Sequence, residues 1–310
     1  MPAGPDEFPI SSRLPAPPGA QRRRVVVTGA TGYIASQLLP AFRQRYDLTL
    51  LDVRTTRGEG PEVEGVQIAD LLAETWRDLA HHFHTADAVV HLGYHRPSGG
   101  NVSGAGKGYD DERPNVDMAE HVYRLSLDEG VRRVVVASSN HAADWYEPLI
   151  LAQKIEGIDP SWLPKSDNYY GWAKIAYEAL GFMYASGAFG RKLENVQVRI
   201  GAPRALPAEQ FAGKPAAYKR NLGAYISPRD LQQLFVRSIE AERIEDEWGI
   251  PFQIFYGVSN NTRAFWSIAN ARRIAGYQPE DDSEVRFAEG IRQEIVEPGS
   301  RGRVGDDRAG

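Results

Sequence analysis

A glycine-rich turn between a β-branched run and a helical pattern constrains this chain more than any other feature. Residues 24–28 read Arg-Val-Val-Val-Thr, and residues 29–35 follow as Gly-Ala-Thr-Gly-Tyr-Ile-Ala. In a strand–turn–helix unit, the first glycine allows the tight turn and the second lets the backbone approach a pyrophosphate. Ala35, at the position of a third glycine, still allows close packing of helix against strand. We therefore predict dinucleotide contacts from Gly29, Thr31, Gly32, Tyr33 and Ile34.

The carboxylate that ends the second apolar run bears on the identity of the dinucleotide. Asp52 follows Gly32 by 20 residues. A carboxylate at that spacing accepts hydrogen bonds from the adenosine ribose and repels a 2′-phosphate. The expected cofactor is therefore NAD, although the nearby Arg54 weakens the preference over NADP. A glycine-rich turn with an incidental aspartate is the alternative.

The rest of the chain alternates strand-like runs with helical patterns. Strands are expected at residues 24–28, 48–52, 86–92, 131–138, 195–200 and 252–256, with a short one before residue 70. Helices are expected at residues 33–46, 114–129, 168–186 and 228–241. Apolar strands separated by helices are typical of a parallel sheet covered on both faces. The predicted fold class is α/β, a Rossmann-type doubly wound parallel sheet with a small C-terminal substrate-binding region.

Composition divides the chain into three parts. Residues 1–21 are rich in proline, and we expect a disordered or loosely docked arm there. Residues 22–298 are predicted to form a single extended Rossmann domain, with an NAD-binding core at about 22–200 and a substrate-covering region at about 201–298. Residues 299–310 are expected to form a mobile tail, and residues 97–109 a mobile loop over the site.

Two further strand ends supply candidate cofactor contacts. Asp70 and Leu71 follow the third strand and could meet the adenine, while Leu92 and Gly93 end the fourth. Ligands of open α/β sheets bind at this carboxyl edge. Ordinary turn residues are the alternative at all four positions.

A tyrosine and a lysine four residues apart mark a candidate for proton transfer. Tyr170 and Lys174 share one face of a predicted helix, and Ser139 ends a predicted strand. Tyrosine is a poor base at neutral pH, and a nearby ammonium group is expected to lower its pKa. Tyr170 would then remove a hydroxyl proton as a hydride leaves carbon, while Ser139 binds the reacting oxygen and Lys174 holds the nicotinamide ribose. A surface Tyr/Lys pair is the alternative.

Charge and composition argue against several other classes. The net charge is −5, which gives no basic surface for nucleic acid, and the chain has no cysteine. The sequence holds no apolar run of the roughly 20 residues that a membrane helix needs, and we expect a cytoplasmic protein. His81, His82 and His84 cluster, but we interpret them as a polar helix end and expect no metal.

Taken together, these motifs resemble the extended short-chain dehydrogenase/reductase family over about residues 24–290. The resemblance narrows at residues 138–141, 198–201 and 255–261, which look like uronate dehydrogenases and related NAD-dependent sugar dehydrogenases. It implies oxidation of an aldose at C1, in the first place of a hexuronate to its aldarolactone. It also implies a homo-oligomer.

The resemblance assigns roles at the substrate side of the site. Ser139, Asn140 and His141 match sugar-binding positions, and Arg220 falls where these enzymes hold the substrate carboxylate. A guanidinium group suits phosphate equally well, so an anionic sugar is expected without a decision on which one. Arg96 stands at a substrate position that is small and polar in those enzymes.

Three alternatives stay open from the sequence. One is an NAD-dependent dehydrogenase of a hexose 6-phosphate or another sugar. The second is a sugar or nucleotide-sugar epimerase that retains NAD and returns the hydride. The third is a non-catalytic, NAD-sensing regulator, which the presence of both Tyr170 and Lys174 disfavours.

Overall fold

One parallel sheet organises the chain. The computed structural model describes residues 9–16, 22–96 and 108–296. The strands are β1 Arg24–Thr28, β2 Asp47–Asp52, β3 Val66–Ile68, β4 Ala88–His91, β5 Arg133–Ser139, β6 Glu194–Ile200 and β7 Phe252–Gly257. Their order across the sheet is β3-β2-β1-β4-β5-β6-β7, and every neighbouring pair is parallel. This topology confirms the predicted Rossmann-type fold.

Helices cover both faces of the sheet. They are α1 Tyr33–Arg45, α2 Ala80–Phe83, α3 Tyr109–Asp128, α4 Glu147–Leu151, α5 Tyr169–Ala185, α6 Pro215–Ala224, α7 Pro228–Glu240, α8 Ala269–Ala275, α9 Ser283–Arg286 and α10 Ala288–Ile291. Short 3₁₀ segments occur at Trp76–Leu79, Asn140–Tyr146 and Ala208–Phe211, and a π-type turn at Arg292–Val296. Helices α1, α7 and α8 share one core cluster, whereas α3 and α5 share the other. Of the helices described here, none has the length and apolar character that crossing a membrane requires.

The central strand β1 shows why a continuous apolar run predicts a buried strand. Val25 and Val27 of β1 pack into the cluster under α1 and α7, whereas Val26 faces the cluster under α3 and α5. Successive side chains of a strand point to opposite faces, so a strand covered on both faces must be apolar at every position. All three valines are at most 1% exposed.

Strand register places the candidate residues at one edge. Thr28 at the end of β1 pairs with Leu51 of β2 and with His91 of β4. Ser139 at the end of β5 pairs with Ile200 of β6. The strand order reverses between β1 and β4, and ligands of such sheets bind in the crevice outside the carboxyl ends at that point.

The start of helix α3 differs from the prediction. The sequence pattern predicts that this helix begins at residue 114. In the structure the helix begins at Tyr109 and carries Pro114 inside it. Asp110, Asp111 and Glu112 lie in its first turn, where negative charge interacts favourably with the helix dipole. The structure thus extends the helix by a turn and a half of acidic residues that look like a loop in the sequence.

Part of the proline-rich arm lies against the C-terminal half. Ser11 Oγ donates to Glu280 Oε1 at 2.5 Å. Arg237 of α7 donates to the carbonyl of Arg13 at 3.1 Å, and Arg45 of α1 donates to that of Pro15 at 2.8 Å. Residues 9–16 therefore bridge the ends of two helices on one face of the sheet. The predicted tail at 299–310 falls outside the described residues, as does most of the predicted loop at 97–109.

Candidate active site

The turn after β1 is shaped by its contact with the end of β4. Gly29 has a φ of +71°, and a Cβ atom there would lie 2.6 Å from the backbone nitrogen of Gly93. Gly32 N donates to the Gly29 carbonyl at 3.0 Å and directly precedes α1. The first turn of α1 carries only uncharged side chains, so its N–H groups and dipole are available to an anion. This close, uncharged cradle fits a dinucleotide pyrophosphate.

Asp52 connects the end of β2 to this turn. Its Oδ2 accepts from the Thr31 backbone nitrogen at 2.9 Å and from Thr31 Oγ1 at 2.8 Å, while Oδ1 accepts from Val53 N at 2.8 Å. A carboxylate has about four acceptor sites, so the half-buried Asp52 retains capacity for ribose hydroxyls. Sequence spacing alone predicted the ribose role and missed that Asp52 orders the turn.

The other predicted cofactor residues have different surroundings. The hydroxyl of Tyr33 donates to the Pro203 carbonyl at 2.8 Å, and Ile34 packs against the core under α1. Asp70 accepts from the Leu72 nitrogen of its own loop at 2.8 Å, and Leu71 is only 6% exposed and packs in the core. The turn residues therefore lie together at the strand edge, whereas the Leu71 side chain points away from it.

A buried histidine lies beneath the turn, at the end of β4. His91 Nδ1 lies 2.7 Å from Thr28 Oγ1, and its ring is 1% exposed. Within the residues that the structure describes, its Nε2 has no hydrogen-bond partner. Burial, together with the charge of Lys174, lowers the pKa of His91 to about 3. This imidazole is therefore neutral under ordinary conditions and packs beside Gly93.

Lys174 occupies a cage of aromatic rings. Its Nζ donates to the Ala137 carbonyl at 3.0 Å and lies 4.5, 5.4 and 5.5 Å from the ring centroids of Tyr177, Tyr170 and Tyr94. Such contacts stabilise an ammonium group. Burial nevertheless lowers the pKa of Lys174 to about 8, against the opposing effect of Glu112 and Glu178.

The pKa of the Tyr170 phenol is shifted in the direction opposite to the prediction. Burial raises the pKa of Tyr170 to about 12, although a hydrogen bond with Ser139 acts in the lowering direction. The predicted lowering by Lys174 is not found: desolvation dominates the pKa of Tyr170, and the Lys174 ammonium group donates to the Ala137 carbonyl. Tyr170 lies in the first turn of α5, where the helix dipole favours a phenolate. The geometry thus fits the predicted base, whereas the direction of its pKa shift does not.

Tyr94, Glu112 and Asn115 complete the wall opposite Ser139, and the sequence analysis missed all three. The Tyr94 ring packs edge-on against Tyr170 at 5.6 Å, and its hydroxyl donates to Glu112 Oε1 at 2.8 Å. Asn115 accepts from the His95 nitrogen at 2.7 Å and donates to the His95 carbonyl at 3.0 Å. Glu112 belongs to the acidic stretch that did not look helical, so no periodic signal pointed to it.

His141 is held in place by a chain of side chains. Its backbone nitrogen donates to Ser139 Oγ at 3.2 Å, and its Nδ1 lies 2.7 Å from Asp144 Oδ2. The same carboxylate oxygen accepts from Asn168 Nδ2 at 3.1 Å, and Asn168 Oδ1 caps α5 at Gly171 N at 2.9 Å. The imidazole packs edge-on against Tyr170 at 5.5 Å. Helix α5 therefore positions both the base and His141.

The predicted anion-binding arginine already has a carboxylate partner. Arg220 Nε and Nη2 donate to Glu147 Oε2 and Oε1 at 2.9 and 2.6 Å. The two side chains are 18% and 15% exposed, and the guanidinium lies 5.4 Å from the Trp266 ring centroid. With its amide oriented to satisfy its neighbours, Asn140 donates to the Ile200 carbonyl at 3.0 Å and accepts from Arg220 Nη2 at 2.8 Å. Arg220 thus lies next to Asn140, but in an ion pair with Glu147.

Arg96 is the remaining predicted substrate residue. It is exposed and is the last described residue before residue 97. Burial raises the pKa of Tyr94, and the charge of Arg96 acts in the opposite direction. His81 and His82 lie against each other, with ring centroids 3.8 Å apart and ring planes tilted by 41°. Across the described ranges, histidine and carboxylate side chains nowhere form a group of three or more suited to a metal ion.

A cradle for a dinucleotide and a tyrosine–lysine pair at one sheet edge define a Rossmann-type protein of the dinucleotide-dependent class. The chain belongs to the NAD dependent epimerase/dehydratase family, whose model matches residues 25–193. This membership confirms the predicted family and its cofactor, NAD.

Several proteins that are similar to this chain are named as sugar dehydrogenases. An NAD-dependent glucose-6-phosphate dehydrogenase of Haloferax volcanii is 31% identical, over 86% of this chain and 96% of that protein. An L-arabinose 1-dehydrogenase (NAD(P)(+)) of the same organism is 29% identical, over 84% of this chain and 97% of that one. The solved structure of a mutated uronate dehydrogenase has a TM-score of 0.68 and 25% identity, covering 89% of this chain and 88% of that one. The predicted resemblance to uronate dehydrogenases and their relatives is confirmed.

Proposed function

We propose that the protein oxidises an aldose at C1 to the lactone, with NAD as the hydride acceptor. The observation that carries this proposal is the convergence of Ser139, Tyr170 and Lys174 at the carboxyl edge beside the Gly29 turn. Ser139 and Tyr170 interact through their hydroxyls. Lys174 donates a hydrogen bond to the carbonyl of Ala137, which lies on the same strand as Ser139. One reacting oxygen can therefore meet both hydroxyls.

The residues of the chain account for the proton half of the reaction. Tyr170, as phenolate, accepts the proton of the C1 hydroxyl, and Ser139 donates a hydrogen bond to the oxygen that becomes the lactone carbonyl. When bound, NAD supplies the acceptor for the hydride that leaves C1. Lys174, 5.4 Å from the Tyr170 ring centroid, presents an ammonium group for the nicotinamide ribose. His141 and Asn140 provide polar contacts for the sugar hydroxyls from the segment that follows Ser139.

The similar proteins support this chemistry and leave the sugar open. Their names include a sugar phosphate, a neutral pentose and a uronate as substrates. The hexuronate is expected from the resemblance, with Arg220 as the candidate partner of an anionic group, and Arg220 is paired with Glu147. The hexuronate therefore stays a prediction beside the other aldoses.

A panel of sugars with NAD tests the proposal. The panel contains glucose, galactose, arabinose, glucuronate, galacturonate and glucose 6-phosphate, and the readout is the absorbance of NADH with product identification by NMR. We expect NADH and a lactone from at least one sugar, with kcat/KM rising toward alkaline pH because burial raises the pKa of Tyr170 to about 12. A protein that binds NAD but reduces none of it would contradict the proposal. An isomerised sugar without net NADH would indicate an epimerase instead.

A further inference from the structure

The ion pair between Arg220 and Glu147 determines which hydrogen-bond donors a sugar can reach. A guanidinium group binds a carboxylate in two-pronged fashion through an edge that offers two N–H groups. Glu147 uses the edge formed by Nε and Nη2, and Asn140 accepts the second proton of Nη2. Within the part of the chain that the structure describes, these bonds leave Nη1 of Arg220, so no complete edge remains for a second carboxylate or a phosphate.

The charges on this wall also oppose an anion. Arg220 contributes one positive charge, while Glu147 and Asp144 each contribute a negative one, and both carboxylates act on the Arg220 guanidinium. Among the described residues of this wall, two carboxylates therefore face one guanidinium group. Because Glu147 and Arg220 are largely buried, their charges are screened less than surface charges.

The position of Glu147 makes this pairing a stable part of the wall. Glu147 is the first residue of α4 and is followed by Pro148, so the chain enters the helix in a fixed direction. Its carboxylate also lies at the helix N-terminus, where a negative charge is favoured. The Trp266 ring packs near the guanidinium from the C-terminal part of the chain. Both partners are therefore held by more than their attraction to each other.

We propose that Glu147 makes the sugar site selective for aldoses that carry no carboxylate or phosphate on the side facing Arg220. This inference rests on the proposed function, because it concerns the same sugar site. Glu147 is a specificity-determining residue here: it satisfies Arg220 internally, so that Arg220 and Asn140 present neutral hydrogen-bonding groups to sugar hydroxyls. The substrate class is then a neutral aldose rather than a hexuronate or a sugar phosphate.

Matched sugars test this selectivity directly. Glucose and glucuronate differ only at C6, as do galactose and galacturonate, so each pair isolates the effect of one negative charge. We expect the wild-type protein to oxidise the better neutral sugar with a kcat/KM at least about 10-fold above that of its uronate. In Glu147→Gln, the uronate value should rise about 10-fold while the neutral value changes by less than about 3-fold.

Two further variants keep the test decisive. Glu156→Gln removes one negative charge from an exposed position of the same segment and should leave the ratio of neutral sugar to uronate unchanged. Glu147→Ala opens the Arg220 edge fully and should shift the ratio in the same direction as Glu147→Gln.

The failure of this inference differs from failure of the proposed function. Wild-type preference for a uronate or a hexose phosphate, with NADH formed, would overturn the role of Glu147 and leave the oxidation intact. A ratio that Glu147→Gln leaves unchanged while NAD binding is retained would overturn it as well. Absence of NADH with every sugar, neutral or charged, would instead remove the proposed function itself.

Discussion

The cofactor-binding side of the site, here called the dinucleotide wall, and the sugar-binding side, here called the sugar wall, are built differently. The dinucleotide wall consists of backbone: Gly29 lies against Gly93, and Asp52 orders the turn between two strands that are neighbours in the sheet. The sugar wall consists of side chains that meet across long stretches of sequence, since Glu147 and Arg220 are 73 residues apart. A backbone wall tolerates almost no change in volume, whereas a wall of paired charges can change its selectivity through one side chain.

This difference separates what is general in the site from what is particular. A turn that cradles a pyrophosphate works for any substrate, because it touches only the cofactor. The pairing of Arg220 with Glu147 determines which sugars can form hydrogen bonds with the site. It does so without changing Tyr170 or the turn at Gly29. Tyr170 lies between the two walls, so its substitution should affect chemistry while leaving both walls intact.

The largest expected effect is therefore at Tyr170. Tyr170→Phe removes the only hydroxyl that can accept the C1 proton in this scheme, and kcat should fall by about 10³-fold. The dissociation constant for NAD should stay within about 3-fold, because the ring and its packing on Tyr94 are kept. Steady-state turnover and fluorescence titration with NAD measure the two quantities.

The adjacent tyrosine provides the control for this variant. Tyr169 is 46% exposed and lies outside the contacts of Lys174 and Ser139 described here, so Tyr169→Phe should keep near-normal turnover. A Tyr170→Phe protein that retained a tenth of the wild-type kcat would exclude Tyr170 as the base.

The next largest effect tests the rigidity of the dinucleotide wall. Gly29→Ala places a Cβ 2.6 Å from Gly93 N at a φ of +71°, so strain and overlap both act. We expect a loss of about 2–5 kcal/mol in the free energy of unfolding and weaker NAD binding by at least about 10-fold. Urea unfolding and NAD titration are the measurements.

Gly58 isolates the contribution of the backbone angle alone. It has a φ of +61°, but a Cβ there would meet nothing within 4 Å. Gly58→Ala should therefore cost only about 1–2 kcal/mol and leave NAD binding unchanged. Equal losses for the two variants would show that the close approach to Gly93 does not constrain the turn.

A third prediction concerns the buried histidine under the same wall. The pKa of His91 is about 3 in the folded protein, well below its value in the unfolded chain. Between about pH 6.5 and pH 3 the unfolded chain binds a proton that the folded one does not, so stability falls as the pH falls, by up to about 1.4 kcal/mol per pH unit. His91→Asn should show a shallower slope in urea unfolding measured from about pH 7 to pH 4.

An exposed histidine serves as the comparison. The His84 side chain is 70% exposed and pairs with Glu129 at 3.1 Å. His84→Asn should leave the acid slope close to that of the wild type. If His91→Asn and the wild type lose stability in parallel, burial of a neutral imidazole is not the source of the acid sensitivity.

The contrast between the walls also explains which parts could be predicted. The inner strands β1, β4 and β5 were readable because they are covered on both faces and hold successive apolar residues, whereas the short edge strand β3 is largely exposed. The turn at Gly29 and the base Tyr170 were readable because their partners lie within a few residues or at a regular spacing. These are short-range constraints, and a single sequence expresses them directly.

Long-range side-chain pairing left no such signal. Nothing in the order of residues indicates that Glu147 reaches Arg220, that Glu112 accepts from Tyr94, or that His91 bonds to Thr28. The pKa of Tyr170 was misjudged for the same reason, since its burial depends on elements brought together by folding. Spacing predicts which residues share an edge, whereas their partners on that edge depend on packing.

The smallest expected effect tests how precisely the sugar wall must be held. Asp144 accepts from Asn168 and bonds to His141 Nδ1, so it orients the imidazole without touching the proposed sugar itself. Asp144→Asn preserves the shape and weakens the hold on His141, and KM for the sugar should rise about 3- to 10-fold, equivalent to about 1 kcal/mol, with kcat nearly unchanged.

Asp167→Asn is the matched control, because Asp167 Oδ1 accepts from the same Asn168 amide at 3.2 Å but is exposed and does not contact His141. A rise in KM for Asp144→Asn alone would show that the sugar wall depends on the orientation of His141. Equal rises in both variants would assign the effect to Asn168 and the start of α5, and a fall in kcat alone would place Asp144 in the chemical step through its effect on Tyr170.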